Sequence, residues 1–325
     1  TRIDGMAPVF TTCPVDLTVY TAPGLCGRSV TYAAPAATDN CTASPAIVKT
    51  DGSGYMSGDF FPVGTTPQTF TATDECGNVS TCSFTVTVID DEDPVITGCP
   101  PDITVSTTTG LCTGTATWVA PTASDNCPGV LLTLVPYLPP SSVFPKGSTL
   151  LTYTATDVSL NSVTCTFTVV VEDNEDPTIT GCPGNQARNA DAGECDYSAV
   201  GTEFDPTSYD DNCPMEVLTY ALSGATTGSG TNTLAGVDFP KGTTTVVWTV
   251  TDMSGNTITC TFTVAVSDVE LPTISCPGTQ TRNTDAGECN YTAVVAGEFD
   301  PTGYDDNCPM ETISNDYDMT SSLDG

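Results

Sequence analysis

The chain contains 325 residues and carries a formal net charge of -33, from 40 Asp and Glu against 7 Lys and Arg. This charge disfavours binding to nucleic acids and to anionic membrane surfaces, because their phosphate groups would repel it. The sequence contains no histidine, which excludes Ser-His-Asp and Cys-His catalysis and imidazole ligands for zinc, copper or haem. Its 16 cysteines include no C-x-x-C pair, so they predict disulfides formed in an oxidising, extracellular compartment. No apolar run approaches the roughly 18 residues of a membrane span.

The cysteines show that the chain is a tandem array. A Cys-Pro pair recurs at spacings of 86, 83 and 94 residues, a second cysteine follows each pair after 13 residues, and a third ends an Asp-Asn-Cys triplet. Such a fixed period indicates repeated domains. We predict a linker at 1–8, repeats at 9–93, 94–176 and 177–271, and an incomplete repeat at 272–325. Because both ends fall inside a repeat, we expect a segment of a longer protein. The cysteines predicted to form disulfides are Cys13, Cys26, Cys41, Cys82, Cys99, Cys112, Cys127, Cys165, Cys182, Cys195, Cys213, Cys260, Cys276 and Cys289.

In chain order, each complete repeat has a Phe-Pro-x-Gly turn, a strand pattern, an Asp-x-x-x-Asn turn and a second strand pattern. The strand patterns are rich in Thr and Val and alternate with a period of two, as half-buried strands do. No segment has a helical period. Repeat two carries Leu160 where the other turns have Gly77 and Gly255, so its turn is expected to differ or to be strained. The predicted strands are 69–72, 83–89, 151–155, 166–171, 245–250 and 261–266.

The disulfide pairing is not fixed by spacing, because four cysteines in a repeat allow three pairings. We predict that the first cysteine of a repeat bonds to the second, and the third to the fourth, as in Cys127 to Cys165. Cys76 is an additional cysteine in repeat one. It is either free or replaces Cys82 as the partner of Cys41.

The joint order of these motifs resembles the hyalin repeat, also called the HYR domain. It runs through Cys-Pro-x-Asp-Ile-x-Val, Pro-x-Ala-x-Asp-Asn-Cys, Phe-Pro-x-Gly, Thr-Ala-Thr-Asp-x-x-Gly-Asn and Cys-x-Phe-Thr-Val-x-Val, and covers essentially the whole chain. The resemblance implies an all-β tandem array of immunoglobulin-like β-sandwich repeats of about 85–95 residues. It also implies occurrence at cell surfaces, a role in adhesion or assembly, and no enzyme activity.

Acidic residues are expected to cluster where one repeat meets the next. In such a sandwich the incoming linker, the Asp-Asn-Cys triplet and the Asp-x-x-x-Asn turn lie at the same end. Crowded carboxylates repel one another unless a cation neutralises them, and Ca²⁺ prefers six to eight oxygen ligands. The predicted calcium ligands are Asp90, Asp91, Glu92, Asp93, Asp125, Asn126, Asp157, Asp173, Glu175, Asp176, Asp210, Asp211, Asn212, Asp252, Asn256, Asp268, Glu270, Asp305 and Asp306.

Other interpretations of these residues remain open. Asp and Asn also form turns through their own side chains, and the linker acids could simply be solvated. The third junction is weaker, because Val269 and Leu271 interrupt its acidic run. Carboxylate pairs also occur in glycosidases, but here they recur in a tandem copy, which argues against one catalytic cleft. Trp118 and Trp248 lie on strand patterns and are expected in the core, not on a sugar-binding platform.

These patterns favour a non-enzymatic, rod-like extracellular segment of a surface fibre, stalk or adhesin. Calcium between repeats and disulfides within them would stiffen it, and its partners would be Ca²⁺ and other copies or repeats in a fibre. A surface polysaccharide or a protein is a further possible ligand. The second hypothesis is a spacer or ligand-binding module of a larger cell-surface enzyme or receptor. A third is an acidic matrix protein that organises mineral or polysaccharide.

Overall fold

The structure is a computed structural model that describes residues 4–293 and 298–309. Within those ranges the regular structure is β-strand without any α-helix, so they contain no helix that could cross a membrane. Contacts divide the chain into unit 1, Thr1–Thr108 with Thr113–Glu172, and unit 2, Thr109–Cys112 with Asp173–Gly325. The predicted all-β fold is confirmed. Parts of two predicted segments, 1–3 of the linker and 294–297 and 310–325 of the fourth repeat, lie outside the described residues.

The first repeat of unit 1 is an immunoglobulin-like sandwich built on a four-stranded sheet. Its strands are β1 (Val9–Thr12), β2 (Leu17–Tyr20), β3 (Gly27–Ser29), β4 (Ala36–Thr38), β5 (Ala46–Lys49), β6 (Phe60–Pro62), β7 (Gly64–Thr73) and β8 (Val79–Ile89). The large sheet has the order β2-β8-β7-β5. Strand β2 runs parallel to β8 and the other neighbours are antiparallel. Two short ladders, β1-β4 and β3-β6, complete the repeat.

The second repeat of unit 1 has the same topology. Its strands are β9 (Val95–Thr97), β10 (Ile103–Ser106), β11 (Thr113–Thr115), β12 (Thr122–Ser124), β13 (Leu131–Val135), β14 (Val143–Pro145), β15 (Gly147–Thr156) and β16 (Ser162–Glu172). The large sheet is β10-β16-β15-β13, and the ladders are β9-β12 and β11-β14. The β9-β12 ladder pairs Ser124 with Val95, which places the residues after β12 beside the linker before β9.

Unit 2 contains the third repeat, which adds one strand, β22, to this plan, and the described part of the fourth repeat. Its strands are β17 (Thr178–Thr180), β18 (Gln186–Asn189), β19 (Asp196–Ser198), β20 (Ser208–Asp210), β21 (Met215–Gly224), β22 (Gly228–Thr231), β23 (Asp238–Pro240), β24 (Gly242–Asp252), β25 (Thr257–Ser267), β26 (Thr273–Ser275) and β27 (Gly303–Asp305). The large sheet is five-stranded, in the order β18-β25-β24-β21-β22. The ladders are β17-β20, β19-β23 and, in the fourth repeat, β26-β27.

The cores follow directly from the period-two pattern. Along β8, Phe84, Val86 and Val88 are buried while their neighbours are more exposed. Phe61 of the Phe-Pro-x-Gly motif is fully buried against this face. Burying a large apolar side chain contributes about 1.5–3 kcal/mol. All six predicted strands are confirmed, each within a longer strand of the structure.

The two tryptophans contribute to the cores in different ways. Trp248 on β24 is fully buried and donates a hydrogen bond from Nε1 to the carbonyl oxygen of Phe204 at 2.9 Å. Trp118 lies between strands, not on one, and is partly buried against the core of repeat two. Its Nε1 donates to the hydroxyl of Tyr153 at 3.0 Å. Both residues therefore act as core residues, although the strand predicted at Trp118 is absent.

Leu160 adopts the conformation that glycine has in the equivalent turns. Its φ is 75°, against 89° at Gly77 and 92° at Gly255. The turn hydrogen bonds are also the same, since Asp157 N donates to Asn161 O at 3.1 Å. A left-handed conformation is costly for a residue with a Cβ. The turn of repeat two is therefore strained and not rearranged.

Repeat one contains a buried ion pair away from its ends. Lys49 Nζ lies 3.2 Å from Asp51 Oδ1, and their side chains are 11% and 4% exposed. Burial acts to raise the pKa of Asp51, but hydrogen bonds from Ser53, Thr69 and Lys49 hold that pKa well below its usual range. The carboxylate is therefore stabilised in its charged form inside the folded repeat.

The predicted disulfide pairing is wrong. The first cysteine of each complete repeat bonds to the fourth, and the second bonds to the third cysteine of the following repeat. The spacing of cysteines within a repeat carries no information on this pairing, because the docking of one repeat on the next brings the second and third cysteines together. Cys41, Cys276 and Cys289, predicted to be bonded, are free, as is Cys76. The six disulfides are Cys13–Cys82, Cys99–Cys165, Cys182–Cys260, Cys26–Cys127, Cys112–Cys213 and Cys195–Cys308.

Candidate metal centre

Buried acidic residues cluster at the ends of the repeats. Apart from Asp51, which is paired with Lys49, five aspartates are buried as whole residues in the part of the chain whose burial the structure describes, and each lies in a linker between repeats or in an Asp-x-x-x-Asn turn. A buried charge is costly unless it is paired or coordinates a metal. Carboxylates at these positions are therefore stable only when they are hydrogen-bonded, paired or bound to a cation. The five are Asp74, Asp90, Asp157, Asp173 and Asp252.

The most complete cluster lies inside unit 1, where repeat one meets repeat two. Asp90 directly follows β8, Asp125 and Asn126 directly follow β12, and Asp157 directly follows β15. The β9-β12 ladder and the β15-β16 hairpin bring these three strand ends to the linker. We call the four side chains of Asp90, Asp125, Asn126 and Asp157 seam 1.

Hydrogen bonds from neighbouring groups fix the orientation of the seam 1 side chains. Asn126 donates from Nδ2 to Asp90 Oδ1 at 3.0 Å, and Asp125 Oδ2 accepts from the backbone N–H of Cys127 at 2.9 Å. Both oxygens of Asp157 accept from Asn161, at 2.8 Å each. Asn161 also donates to the carbonyl oxygen of Asp90 at 3.1 Å. Each side chain is thus oriented by one of its polar atoms, and the turn role expected of Asp and Asn is present as well.

Three oxygens of seam 1 remain without a hydrogen bond although they are buried. They are Asp90 Oδ2, Asp125 Oδ1 and Asn126 Oδ1. A buried polar atom without a partner costs about 1–3 kcal/mol, and more when it is charged. Carboxylate oxygens of Asp90 and Asp125 also lie within 4.8 Å of each other. Two anions this close, with unbonded oxygens, form an acceptor-only site that a cation would complete.

The donor set of seam 1 fits a hard cation. Carboxylate and carboxamide oxygens suit Ca²⁺, whereas zinc and copper prefer nitrogen and sulfur ligands. The nearest sulfur, that of Cys127, belongs to a disulfide and is not a thiolate. Asp90, Asp125 and Asn126 would hold the ion through their unbonded oxygens, and the ion would offset the repulsion between the carboxylates.

Unit 2 contains the equivalent cluster, seam 2, formed by Asp173, Asp211, Asn212 and Asp252. Asn212 Nδ2 donates to Asp173 Oδ1 at 3.3 Å, and Cys213 N donates to Asp211 Oδ2 at 2.9 Å. Asp211 Oδ1 is buried without a hydrogen bond. Asn256 donates from Nδ2 to Asp252 at 2.8 Å and to the carbonyl oxygen of Asp173 at 3.1 Å. Seam 2 differs from seam 1 in one contact, because Ser254 Oγ donates to Asp173 Oδ2 at 3.1 Å, whereas the corresponding Asp90 Oδ2 accepts no hydrogen bond.

The electrostatics of seam 2 differ from one carboxyl to the next. Burial raises the pKa of Asp211, and the charges of Asp173 and Asp252 raise it further, against a lowering hydrogen bond from Cys213. Burial also acts to raise the pKa of Asp252, but hydrogen bonds from Asn256 hold it below its ordinary value. Asp211 therefore carries the uncompensated part of the repulsion, and it is also the residue with the unbonded oxygen.

Two further clusters contain acidic residues at equivalent positions of the repeats. In unit 1, carboxylate oxygens of Asp4, Asp39 and Asp74 lie within 4.8 Å of one another, and Asp4 Oδ2 and Asp39 Oδ1 are buried without hydrogen bonds. Sequence reasoning left these three out, although the repeat alignment places them opposite Asp90, Asp125 and Asp157. In the fourth repeat, Asp306 Oδ1 and Asn307 Oδ1 are buried without hydrogen bonds.

The predicted third junction is already partly neutralised. Lys241 Nζ lies 3.4 Å from Asp268 Oδ2, and the Asp268 side chain is 7% exposed. Glu270 donates from its backbone N–H to Asp268 Oδ1 at 3.0 Å. The Asp268 carboxylate thus has a cationic partner within the protein.

Several predicted ligands lie elsewhere. The linker glutamates turn away from the clusters and accept backbone hydrogen bonds from the loop of the preceding repeat: Glu92 from Gly24 at 2.9 Å, and Glu175 from Gly110 at 2.9 Å. Glu270 accepts in the same way from Gly193 at 3.0 Å. These hydrogen bonds hold the loop of the preceding repeat against the linker. Five other residues that were predicted as calcium ligands are exposed to solvent. They are Asp91, Asp93, Asp176, Asp210 and Asp305.

A disulfide between repeats lies beside seam 1 and another beside seam 2. Next to seam 1, Cys26 of repeat one bonds to Cys127 of repeat two. Asn126 Nδ2 donates to the carbonyl oxygen of Leu25, the residue before Cys26, at 3.3 Å. Two adjacent residues thus have linked roles, because Asn126 belongs to seam 1 and Cys127 forms the disulfide with repeat one.

The fold, the disulfides and the seams define the class as a disulfide-linked tandem β-sandwich repeat protein. The HYR domain family model matches residues 3–88, 89–171 and 172–266, and the chain belongs to that family. The predicted resemblance is confirmed. The repeat boundaries predicted from the cysteines lie a few residues away from these matches, and they stay a prediction.

Two curated relatives are hyalins of sea urchins. Hyalin of Strongylocentrotus purpuratus is 32% identical over 318 residues, which cover 94% of this chain and 24% of the hyalin. Hyalin of Lytechinus variegatus is 35% identical over 286 residues, covering 86% of this chain and 51% of that one. The chain thus spans about a quarter and about half of these relatives.

A mouse relative and solved structures add partial likenesses. The mouse protein named "Sushi, von Willebrand factor type A, EGF and pentraxin domain-containing protein 1" is 35% identical over 162 residues, which are 49% of this chain and 4% of that protein. The protocadherin GammaB4 extracellular domain matches 85% of this chain and 52% of its own at 13% identity, with a TM-score of 0.30. Mouse cadherin-23 EC22-24 matches 81% and 99% at 18% identity, with a TM-score of 0.29. Scores of this size carry no weight for fold or function.

Proposed function

We propose that this chain is a non-enzymatic structural and adhesive segment of an extracellular surface assembly, in which Ca²⁺ at the seams and disulfides beside them fix each repeat against the next. The resulting segment is stiff and forms part of a fibre, stalk or adhesin. The hyalin relatives support an extracellular assembly role, because the chain matches them over most of its length.

The three unbonded oxygens of seam 1 are the observation that carries the calcium proposal. A turn needs no unbonded carboxylate, because Asp157 satisfies both of its oxygens within its own turn. Asp90 and Asp125 each leave one buried oxygen without a hydrogen bond. These oxygens come from a linker and from a strand end of the following repeat, so one ion would join both segments.

Stiffness follows from where those ligands are attached. Without a cation, the repulsion between Asp90 and Asp125 favours opening of the seam. The Cys26–Cys127 disulfide limits how far the two repeats separate, but rotation about a single cystine remains possible. An ion bound by both carboxylates removes the repulsion and restricts that rotation. The disulfide and the ion therefore have complementary roles.

Small-angle X-ray scattering of the whole chain, with Ca²⁺ and with a chelator, tests the proposal. We expect Ca²⁺ to narrow the distribution of interatomic distances, and Asp125→Asn to weaken this response by at least tenfold in calcium concentration. Asp91→Asn is the matched control, because it removes one negative charge from an exposed linker position next to the seam. Identical scattering with Ca²⁺ and chelator would contradict a stiffening role.

A spacer within a larger mosaic protein is the second candidate. It is favoured by one observation, the match to only 4% of the mouse protein, whose name includes several other domain types. In that setting the seams would set the distance between flanking domains, and any binding activity would belong to those domains. A ligand that binds the isolated chain with submicromolar affinity would argue against this second role.

A further inference from the structure

One edge of the large sheet is protected differently in the three complete repeats. Strand β5 of repeat one corresponds to β13 of repeat two and β21 of repeat three, because each pairs with the strand that leads into the Asp-x-x-x-Asn turn. The open edge of a sheet presents unpaired backbone N–H and C=O groups, and proteins cover such an edge or place charges on it. The same edge can therefore be compared in three settings.

Repeats one and three both protect this edge. In repeat three, β22 (Gly228–Thr231) lies along β21 and pairs with residues 219–222, and Asn232 N donates to Leu218 O at 3.0 Å. In repeat one, β5 carries Lys49, whose side chain points inward and is 11% exposed. An inward-pointing charge on an edge strand discourages the addition of another strand.

Strand β13 has neither form of protection. Leu134 occupies the position that Lys49 has in repeat one, as the strand pairings show. In the part of the chain that the structure describes, β13 has one strand neighbour, β15, and its ladder with β15 contains no bulge. No charged residue occurs between Asp125 and Lys146. The edge of β13 is therefore open, regular and uncharged.

The surface beside this edge is apolar as well. A groove next to β13 is lined by Ala120, Tyr137, Pro139 and Pro140, and Tyr137 is 82% exposed. Burial of apolar surface drives association, so the surroundings of the edge favour a partner that approaches it.

The backbone of β13 offers a short row of groups to such a partner. In repeat three the carbonyl oxygen of Leu218 faces β22, and successive residues of a strand direct their backbone groups to alternate sides. Leu132 and Leu134 correspond to Leu218 and Tyr220. Their N–H and C=O groups therefore face the open edge.

The sequence of β13, Leu-Leu-Thr-Leu-Val, is nearly symmetric about Thr133. In an antiparallel pair of two β13 strands with Thr133 opposite Thr133, Leu132 of each copy lies opposite Leu134 of the other. These are hydrogen-bonded pairs, so the two strands exchange about four backbone hydrogen bonds. Leu131 and Val135, which are 62% and 66% exposed, then lie opposite each other as apolar cross-strand pairs on both sides of the axis.

We propose that β13 of one copy of this chain pairs antiparallel with β13 of a second copy about a two-fold axis at Thr133. The two four-stranded sheets then form one continuous sheet. A second copy is the partner because the strand complements itself in hydrogen bonding and in apolar pattern, and because no like charges meet at this edge. The pairing lies within repeat two and uses no seam residue, so it goes beyond the proposed function and is independent of it.

Sedimentation velocity of the whole chain over a concentration series, with the free thiols alkylated, tests the pairing. We expect a reversible monomer–dimer equilibrium in Ca²⁺ and in chelator alike. Leu131→Lys should raise the dissociation constant of the dimer by about tenfold, because an apolar cross-strand contact is lost on both sides of the axis. Leu150→Lys is the matched control. Leu150 is 59% exposed, close to Leu131, but it lies on the interior strand β15.

A pair of double variants tests the register. Leu131→Lys with Val135→Lys places like charges opposite each other and should abolish the dimer. Leu131→Lys with Val135→Glu places opposite charges there and should restore it. This rescue requires the antiparallel register, because a parallel pair in register would bring like charges together. Hydrogen exchange at the amides of Leu132 and Leu134 should also slow as the protein concentration rises.

Three results would overturn the inference. The first is a parent chain that stays monomeric up to about 1 mM. The second is a dimer that Leu131→Lys and Leu150→Lys weaken to the same extent, because the edge would then have no special role. The third is a dimer that dissociates in chelator and is insensitive to Leu131→Lys, which would place the contact at the seams.

Discussion

Removal of calcium should change the stability of unit 1 in a way that depends on Asp125. With Ca²⁺ present, we expect the intact chain to unfold at a higher temperature than in chelator, and Asp125→Asn to reduce this increase. In chelator the order should reverse. The variant is then more stable than the parent, because it removes the repulsion between Asp125 and Asp90 while it keeps the hydrogen bond from Cys127 N.

The magnitudes follow from the seam. Two charges no more than 4.8 Å apart repel by about 3.5 kcal/mol or more at an effective dielectric constant of about 20, and the hydrogen bonds to each carboxylate offset part of this. We therefore expect Asp125→Asn to stabilise the chelated chain by about 1–3 kcal/mol. A ligand at 100 times its Kd stabilises by about 2.7 kcal/mol. For a unit of about 170 residues, this raises the unfolding midpoint by about 5–10 °C.

Differential scanning calorimetry of the parent, Asp125→Asn and Asp91→Asn, each in Ca²⁺ and in chelator, measures both effects. Asp91 is exposed, so its variant should keep the calcium-dependent shift of the parent. The reasoning is refuted if Asp125→Asn and Asp91→Asn behave alike under both conditions, because the seam would then have no special electrostatic role.

Three further predictions concern strain, pH and the disulfides. Leu160→Gly should raise the free energy of unfolding in urea by about 1 kcal/mol, because the left-handed conformation favours glycine and the Leu160 side chain is 81% exposed; a loss of stability would contradict the strain. The pKa of Asp51 is depressed in the folded state, so its contribution is complete above the unfolded value of about 3.9 and is lost as the pH falls through the lower, folded value. Asp51→Asn should flatten this acid-side slope and cost about 3 kcal/mol at pH 7, because Lys49 stays buried without its anionic partner, while Ser53, Tyr55 and Gln68 still accept its hydrogen bonds; an unchanged slope in acid denaturation curves would argue against it. Non-reducing peptide mapping should find Cys26 linked to Cys127. A peptide that joins Cys13 to Cys26 would contradict this disulfide between repeats.

The sequence was sufficient for the parts of the fold that depend on local patterning. Alternating Thr, Val and Phe identified β8, β16 and β25, because one face of each strand packs on a core and the other does not. The structure extends each strand beyond the prediction; β8, for example, begins at Val79. The positions of seams 1 and 2 were also predictable, because the hairpin connections determine which strands end at the same end of a sandwich.

The connections between repeats could not be predicted. The pairing of Cys26 with Cys127 depends on how one sandwich docks on the next, and that information is absent from the spacing within a repeat. Glu92 was predicted as a metal ligand from its acidic neighbours, yet it accepts a hydrogen bond from Gly24. Its reach to that loop is a tertiary property. Asp4, by contrast, aligns with Asp90 when the repeats are superposed in sequence, so its cluster with Asp39 and Asp74 was predictable from the sequence.

The most direct test of the account is a crystal structure of the chain grown with Ca²⁺, with anomalous diffraction used to locate calcium. The account predicts an ion at seam 1 bound by Asp90 Oδ2, Asp125 Oδ1 and Asn126 Oδ1 at about 2.3–2.6 Å. It would be contradicted by a well-ordered seam in which these oxygens accept hydrogen bonds from water or protein and no anomalous peak lies between them.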